Sequence, residues 1–299
     1  SLVTGLADYQ LSYKLSRAYD LSNQTPIEWL KDKLKVFMLT GALFYIAARG
    51  FLLAFSWVGH SWWLPFAVGG IIFTAVINFL FPVVIFPLFF EVTPYPDNDL
   101  RGRLMGLFDR AGIAVDDIYQ FDLSSKVNAA NAAVMGLGQT RKIILGDKLD
   151  ENYTPAEIEA VLAHEIGHHV RKDIFKRLGL QFISLSAAAR LLAFVWPSAA
   201  DLLGYLPTNL VVLPLFLVVF GLINWLLSSI ELYISRRLER KADQFALDLI
   251  DQPRSLATAF ARLADESLAR LEPNWYERLF EASHPAVKER IEAALAAED

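Results

Sequence analysis

Four long apolar runs constrain this 299-residue chain more than any other feature of its sequence. Residues 36–90 contain a single charged side chain, Arg49. A membrane-spanning helix needs about 20 predominantly apolar residues, so a stretch of this length can cross a bilayer twice. We therefore predict spans at 36–58 and 62–90, separated by a break at Gly59-His60-Ser61.

A second pair of apolar runs follows a polar stretch. Residues 178–200 carry only Arg190, residues 202–230 carry no Asp, Glu, Lys or Arg, and Asp201 separates the two runs. The composition supports membrane spans, because 54% of all residues are hydrophobic and 20% are charged, against roughly 45–50% and 25% in soluble domains. We predict a mainly α-helical, multi-spanning membrane protein with four transmembrane helices.

Basic residues indicate on which side of the membrane the polar parts lie. The links 59–61 and 200–206 carry no Lys or Arg, whereas basic residues border the other ends of the spans. Lys and Arg accumulate in cytoplasmic loops. The N-terminus, residues 91–177 and the C-terminal tail are therefore expected in the cytoplasm. The bordering basic residues are Lys31, Lys33, Lys35, Lys172, Lys176, Arg177, Arg236, Arg237, Arg240 and Lys241.

The polar parts show the periodicities of short helices and strands. Thr154, Pro155 and Glu157 form a capping pattern that begins a helix predicted over Ala156–Arg171. The other predicted helices are 99–111, Glu231–Ile250, 254–271 and 285–297. The predicted strands are Ile118–Leu123, Asn131–Met135 and Lys142–Leu145, the last two joined as a hairpin across Gly136–Thr140.

The capped helix contains an HExxH motif, His164-Glu165-Ile166-Gly167-His168. The chain has no cysteine and five histidines, so a transition-metal site must use His, Asp and Glu. Residues four apart share one face of a helix, so both imidazoles of the motif can reach one ion. Glu165 lies about 100° further round the helix, where it can take a proton from a metal-activated water. The motif predicts a catalytic Zn²⁺ bound by His164 and His168.

A third protein ligand is expected from another helix, because catalytic zinc takes three and leaves one position open. Glu239 follows the fourth span by about as many residues as His168 precedes the third. If each helix continues into its span at about 1.5 Å per residue, the two side chains lie at one depth. We predict Glu239 as the ligand and Asp243 as the acceptor for a ligand histidine. Alternatively, Glu239 is a solvated acid paired with a neighbouring arginine.

Two further histidines lie close to these elements: His169 directly follows the HExxH motif, and His284 directly precedes a predicted helix. His284 lies in Ser283-His284-Pro285, which is either an ordinary surface turn or the source of a hydrogen bond to the oxyanion of a tetrahedral intermediate. His169 adjoins a ligand but points off the ligand face of its helix. We therefore interpret His169 as structural or surface-exposed.

Four motifs, in this order, resemble the CAAX prenyl endopeptidase family of integral-membrane zinc metalloproteases, which includes the HtpX-type bacterial proteases. They are SSKVNAANAAVMG at 124–136, HEIGHHVRKD at 164–173, ERKAD at 239–243 and SHPAVKERI at 283–291. The resemblance implies a zincin-like protease domain with Glu239 as third zinc ligand. It also implies that Asn131 holds substrate backbone, that His284 lies near the oxyanion and that Arg290 supports it.

The resemblance also bears on substrate binding and on the number of spans. Peptidases commonly bind substrate as an added β-strand, and the Asn131–Met135 strand would serve this; the alternative is an ordinary hairpin strand. Eukaryotic members of the family have seven spans and HtpX-type members four. The segment Tyr13–Lys35 is more like that of the longer branch. Either upstream spans precede Ser1, or the chain is a four-span member.

These inferences divide the chain into five parts. The parts are an amphipathic N-terminal segment (1–35), two transmembrane helices (36–90), a first part of the metalloprotease domain with a small β-sheet and the HExxH helix (91–177), two further transmembrane helices (178–230), and a second part with the third ligand and the C-terminal helices (231–299). The first and second parts of the protease domain are expected to meet at the metal.

We predict a zinc metalloendopeptidase that hydrolyses peptide bonds of membrane-associated polypeptides, in CAAX-type processing or in membrane-protein quality control. The alternative is a membrane scaffold or chaperone with a structural metal site, although such a site needs no acid like Glu165 beside an open position. The expected location is the bacterial inner membrane, or the endoplasmic reticulum membrane of a eukaryote, with the active site on the cytoplasmic side. A net charge of −5 gives no reason to expect nucleic acid as a partner.

Overall fold

The computed structural model describes residues 8–58, 61–135, 142–205 and 210–298. Its helices are α1 (Leu15–Ala18), α2 (Pro26–Val58), α3 (Trp63–Leu80), α4 (Asp99–Arg110), α5 (Asp147–Asn152), α6 (Pro155–Val170), α7 (Asp173–Asp201), α8 (Leu213–Leu249), α9 (Pro253–Glu266), α10 (Trp275–Phe280) and α11 (Val287–Ala296). Its strands are β1 (Val92–Pro94), β2 (Asp117–Phe121), β3 (Ala132–Met135) and β4 (Lys142–Gly146). The predicted mainly helical architecture with a small sheet is confirmed.

Three helical segments in the described part of the chain are long and apolar enough to cross a membrane. They are Trp63–Leu88, Asp173–Asp201 and Pro214–Leu249, and they overlap with the second, third and fourth predicted spans. The first predicted span, 36–58, lies within α2, which is not among these three. Residues 59 and 60 of the predicted break lie outside the described residues, and α2 is described as far as Val58.

The fourth span begins later than the sequence predicted. Helix α7 runs to Asp201, but α8 begins at Leu213 and not at residue 202. Gly204 has a left-handed φ of 73°. Glycine adopts this conformation readily, and the conformation ends the right-handed helix. Pro214 stands in the first turn of α8, where its missing N–H has no helical partner to lose. The two spans are therefore joined by a link and not by a single residue.

The HExxH helix does not continue into the third span, which corrects the sequence expectation. Helix α6 ends at Val170 and α7 begins at Asp173. Between them, Lys172 has a φ of 55°, a left-handed conformation incompatible with a continuous right-handed helix. Helix α8 does run without interruption from its apolar part to Glu239. Only one of the two site helices is thus a direct extension of a membrane span.

The four strands form one sheet in the order β1-β2-β4-β3. Strands β2 and β4 are parallel, whereas the two outer pairs are antiparallel. The predicted antiparallel pairing of β3 with β4 is confirmed, but the predicted turn at Gly136–Thr140 lies outside the described residues. Strand β1 was missed because three residues show no recognisable alternation. Strand β3 lies at an edge of the sheet.

The C-terminal helices are shorter than the sequence indicated. The helix predicted at 254–271 ends at Glu266, and Leu268 follows with a left-handed φ of 51°. The six residues of α10 were missed, although Asn274 caps this helix through a capping box with Glu277. Helix α11 lies within the predicted range 285–297.

The core of the protease domain lies between one face of the sheet and helices α4, α6 and α9. Burial of apolar surface stabilises such a core by about 25 cal/mol per Å². The apolar face of α6 therefore packs into this core, and its other face carries polar groups. Among its fully buried side chains are Leu104, Leu107, Phe108, Ile118, Ile143, Leu145, Ile158, Leu162, Ile166 and Leu256.

Candidate metal centre

A capping box fixes the start of the helix that carries the motif. The Thr154 hydroxyl accepts a hydrogen bond from Glu157 N–H at 3.3 Å, and the Glu157 carboxylate accepts one from Thr154 N–H at 2.8 Å. This arrangement satisfies N–H groups that a helix N-terminus otherwise leaves unpaired. Arg262 of α9 pairs with Glu157 at 3.1 Å, which ties the cap to the rest of the domain.

Helices α6 and α8 bring three ligand atoms together. His164 Nε2 lies 3.4 Å from Glu239 Oε2, and His168 Nε2 lies 3.4 Å from Glu239 Oε1. All three side chains place a ligand atom within 4.8 Å of the others. Tetrahedral zinc ligands at about 2.0–2.1 Å from the ion stand roughly 3.3–3.4 Å apart. The spacing of these donors therefore suits a small divalent ion.

The carboxylate of Glu239 supplies an independent test of this fit. The residue is 2% exposed, and its Oε2 atom is buried without a hydrogen-bond partner in the described part of the chain. The nearby imidazole nitrogens are at 3.4 Å but are not in hydrogen-bonding geometry. A buried, unpaired carboxylate oxygen is unfavourable unless an ion or a donor satisfies it. Two imidazoles and one carboxylate are a normal donor set for catalytic zinc.

Both histidines of this candidate centre lie beside buried carboxylates. His164 Nδ1 lies 2.8 Å from Asp243 Oδ1, as predicted for a hydrogen-bond acceptor, and His168 Nδ1 lies 3.0 Å from Asp173 Oδ2. Such partners fix the ring orientation and leave the other nitrogen for the metal. Burial lowers the pKa of His164, but the neighbouring carboxylates of Asp243 and Glu239 outweigh this effect and raise the pKa to about 9.

Arg290 holds Asp243 through two hydrogen bonds. Its Nε and Nη2 atoms donate to the two carboxylate oxygens of Asp243 at 2.9 and 2.6 Å. The guanidinium carbon lies 3.7 Å from the ring centroid of Phe260, a cation–π distance. Arg290 Nη2 also lies 3.4 Å from His164 Nδ1, and the bidentate geometry of Arg290 fixes the carboxylate that lies beside His164.

Glu165 and His284 border the same centre. Burial raises the pKa of Glu165, which brings a carboxylate closer to the range useful for proton transfer. Desolvation lowers the pKa of His284, despite the opposing charge of Glu239. The Nε2 atom of His284 lies 3.4 Å from Glu239 Oε2, and its Nδ1 lies 2.9 Å from Ser283 Oγ. The sequence-predicted residues of α6, α8 and the 283–285 turn therefore converge on one centre.

Two contacts of the centre were missed at the level of sequence. In the sequence, Asp173 is only the last residue of a motif, and Arg177 is only a basic residue beside a predicted span. The structure places Arg177 Nη2 2.8 Å from Glu239 Oε1. The i, i+5 spacing of His168 and Asp173 across a helix break gives no periodic signal, and Arg177 reaches Glu239 from another helix.

Asn131 and His169 lie at the edge strand. Asn131 is exposed and directly precedes β3, and its carbonyl accepts a hydrogen bond from Gly146 N–H at 2.8 Å. Among the described residues, no hydrogen bond joins its side chain to His164, His168 or Glu239. His169 Nε2 lies 2.7 Å from the carbonyl oxygen of Val134, which agrees with the structural interpretation of this residue.

Taken with the membrane-type helices, this centre defines a membrane-embedded metalloprotease. The sequence matches the profile of peptidase family M48 over residues 94–298, and that of the CAAX prenyl protease N-terminal domain, described as five membrane helices, over residues 9–91. The chain belongs to peptidase family M48.

Curated relatives extend over nearly the whole chain. The uncharacterized metalloprotease YhfN of Bacillus subtilis is 28% identical over 98% of this chain and 71% of its own length. CAAX prenyl protease 1 of Saccharomyces cerevisiae is 27% identical over 98% and 70%. The probable CAAX prenyl protease 1 of Schizosaccharomyces pombe is 26% identical over 94% and 60%. The chain thus spans 60 to 71% of the length of these relatives.

A solved structure shows the same fold. The crystal structure of S. mikatae Ste24p superposes with a TM-score of 0.84 at 25% sequence identity, covering 98% of this chain and 73% of that protein. The expected resemblance to the CAAX prenyl endopeptidases is confirmed.

Proposed function

We propose that this metalloprotease is a zinc-dependent endopeptidase that cleaves membrane-associated polypeptides at the cytoplasmic face of the membrane. The observation that carries the proposal is the convergence of His164, His168 and Glu239 around a buried carboxylate oxygen that has no hydrogen-bond partner among the described residues. These three residues would hold the ion. When bound, zinc supplies Lewis-acid activation of a water and of the scissile carbonyl.

The side chains around the ion would then handle protons and charge. Glu165 takes a proton from the attacking water and passes it to the leaving nitrogen, a role favoured by its raised pKa. Desolvation lowers the pKa of His284, which favours its neutral form. If the Ser283 hydroxyl donates a hydrogen bond to Nδ1, the proton of His284 is on Nε2. This Nε2–H can then donate a hydrogen bond to the oxygen of the scissile carbonyl as negative charge develops there.

The edge strand β3 is the proposed binding site for the substrate backbone. An extended peptide added to a sheet edge is recognised through main-chain hydrogen bonds, which are independent of sequence. Asn131, directly before β3, would hold that backbone. The names of the two yeast relatives make prenylated C-terminal peptides the first substrate class to examine. Proteins damaged in the membrane are the second.

The decisive experiment combines metal content with cleavage. The purified chain in detergent with Zn²⁺ should cleave an internally quenched peptide, and a chelator should abolish cleavage. The Glu165→Gln variant should retain one zinc per chain and lose at least 100-fold in kcat/KM. The exposed Glu151→Gln variant serves as a matched control with unchanged activity. Normal cleavage by Glu165→Gln would leave a structural metal site in a membrane scaffold as the better account.

A further inference from the structure

The free edge of β3 has a defined set of outward-facing backbone groups. Gly146 N–H donates to Asn131 O at 2.8 Å, so the backbone groups of Asn131 point towards β4. Ala132 pairs with Leu145 and Val134 with Ile143 in the antiparallel register. Because backbone groups alternate in direction along a strand, those of Ala132 and Val134 point away from β4 and towards any added strand.

His169 already forms a hydrogen bond with one of these outward-facing backbone groups. Its Nε2 atom lies 2.7 Å from Val134 O, and a carbonyl oxygen only accepts, so Nε2 donates the proton. His169 directly follows the ligand His168 on α6. The hydrogen bond therefore ties the sheet edge to the helix that holds the metal.

Glu266 forms a hydrogen bond with the backbone at the other end of the same segment. At the end of α9, its Oε2 accepts a hydrogen bond from Ala130 N–H at 2.8 Å, and its Oε1 accepts one from Asn152 Nδ2 at 3.3 Å. Between these two contacts, the N–H and carbonyl of Ala132 and the N–H of Val134 have no partner in the described part of the chain. These groups form a short window, here called the Ala132 window.

We propose that His169 and Glu266 delimit the Ala132 window and thereby fix the register in which a substrate strand is offered to the metal centre. This inference rests on the proposed function. One substrate residue exchanges hydrogen bonds with Ala132. The next substrate N–H that faces β3 lies two residues along, opposite the carbonyl of Val134. This carbonyl already accepts a hydrogen bond from His169. The two side chains act as positioning residues, because neither contacts the scissile bond.

A backbone-ester scan of a substrate tests the register. An internally quenched ten-residue peptide that the wild-type holoenzyme cleaves is prepared with single esters in place of amides, at every position except the scissile bond. An ester removes one N–H without adding bulk. In the wild type, one ester, opposite Ala132, should lower kcat/KM about tenfold, and the ester two residues towards Val134 should change it less than twofold.

Variants of His169 make the test specific. In His169→Ala the carbonyl of Val134 becomes available, so the second ester should also lower kcat/KM about tenfold relative to the all-amide peptide. His169→Gln keeps an amide donor and should retain the wild-type profile. Zinc content and thermal unfolding establish that each variant is folded.

Two results would overturn the inference. One is a wild-type scan in which both esters are harmful, which needs no variant at all. The other is a His169→Ala profile identical to that of the wild type. A wild-type holoenzyme that cleaves no peptide would instead contradict the proposed function, so the two failures are distinguishable.

Discussion

Gly167 lies in direct contact with the backbone of Ala242 on the neighbouring helix. A Cβ atom added at Gly167 would stand 3.1 Å from the carbonyl oxygen and 3.2 Å from the Cα of Ala242, and 3.2 Å from Phe245. Gly167 lies inside the motif, directly before His168, and Ala242 lies three residues after Glu239. The absence of a side chain therefore sets how closely α6 and α8 approach, and with it the distances among the three ligands.

We expect Gly167→Ala to separate the two helices by a few tenths of an ångström. Overpacking of this kind typically costs about 1–3 kcal/mol, and it should also weaken zinc binding because the ligands of α6 and α8 move apart. Thermal unfolding and chelator competition measure the two effects. Gly106→Ala on α4 is the control, since a Cβ there meets nothing within 4 Å and alanine favours the helix. Equal zinc affinity in both variants would contradict this reading of the contact.

Glu239→Ala should remove the metal. The variant keeps two histidines but loses the only carboxylate of the ligand set, so zinc content after dialysis should fall from about one per chain to well below one. Metal analysis of the purified protein measures this. Asp248→Ala, an exposed acid on the same helix, should retain its zinc. Full metal occupancy of Glu239→Ala would remove Glu239 from the ligand set.

Asp173→Asn should weaken zinc binding without abolishing it. The amide keeps the size of the carboxylate but loses the charge that orients His168 through Nδ1, a change that commonly lowers metal affinity 10- to 100-fold. Competition with a fluorescent chelator gives the dissociation constant. Asp201→Asn at the other end of α7 should leave it unchanged. An affinity of Asp173→Asn within twofold of wild type would show that this carboxylate does not support the metal.

Glu157 should make stability depend on acid pH. Burial raises its pKa, but hydrogen bonds from Thr154 and Thr258 and the charge of Arg262 hold it below the usual value. A lowered folded-state pKa contributes stability above the unfolded pKa of about 4.3, and that stability is lost as the pH falls below it. The gap in Tm between wild type and Glu157→Gln should therefore be widest at pH 7 and shrink below about pH 4.3. A gap that stays constant down to pH 3 would exclude this role for the carboxylate.

The orientation in the membrane can be tested directly because the chain has no cysteine. Asp97→Cys lies in the protease domain with its side chain 97% exposed, and Leu202→Cys lies in the link after α7 and is 87% exposed. In intact cells, a membrane-impermeant maleimide should label position 202 and not position 97. Inside-out vesicles should give the reverse. Labelling of position 97 in intact cells would reverse the proposed topology.

Much of the site was predictable because it is local or periodic. His164, Glu165 and His168 follow from one turn of helix, and the spacing of Glu239 and Asp243 follows from another. The apolar runs predicted the three candidate spans for the simple reason that lipid excludes charge. The unpredicted elements were short: β1 has three residues, α1 has four, and α5 and α10 have six each, too few to show a periodicity.

The sequence by itself determined the chemistry: a donor set without cysteine, a carboxylate beside two imidazoles, and long stretches that only a membrane can accommodate. The tertiary structure decided how these parts meet. Continuous helices were expected to bring His168 and Glu239 to one depth, yet α6 breaks at Lys172 and reaches α8 through the contact at Gly167. Contacts such as Arg177 with Glu239, or His169 with Val134, join residues on separate elements. Their distances depend on packing and not on any spacing along the chain, so no pattern in the sequence reports them.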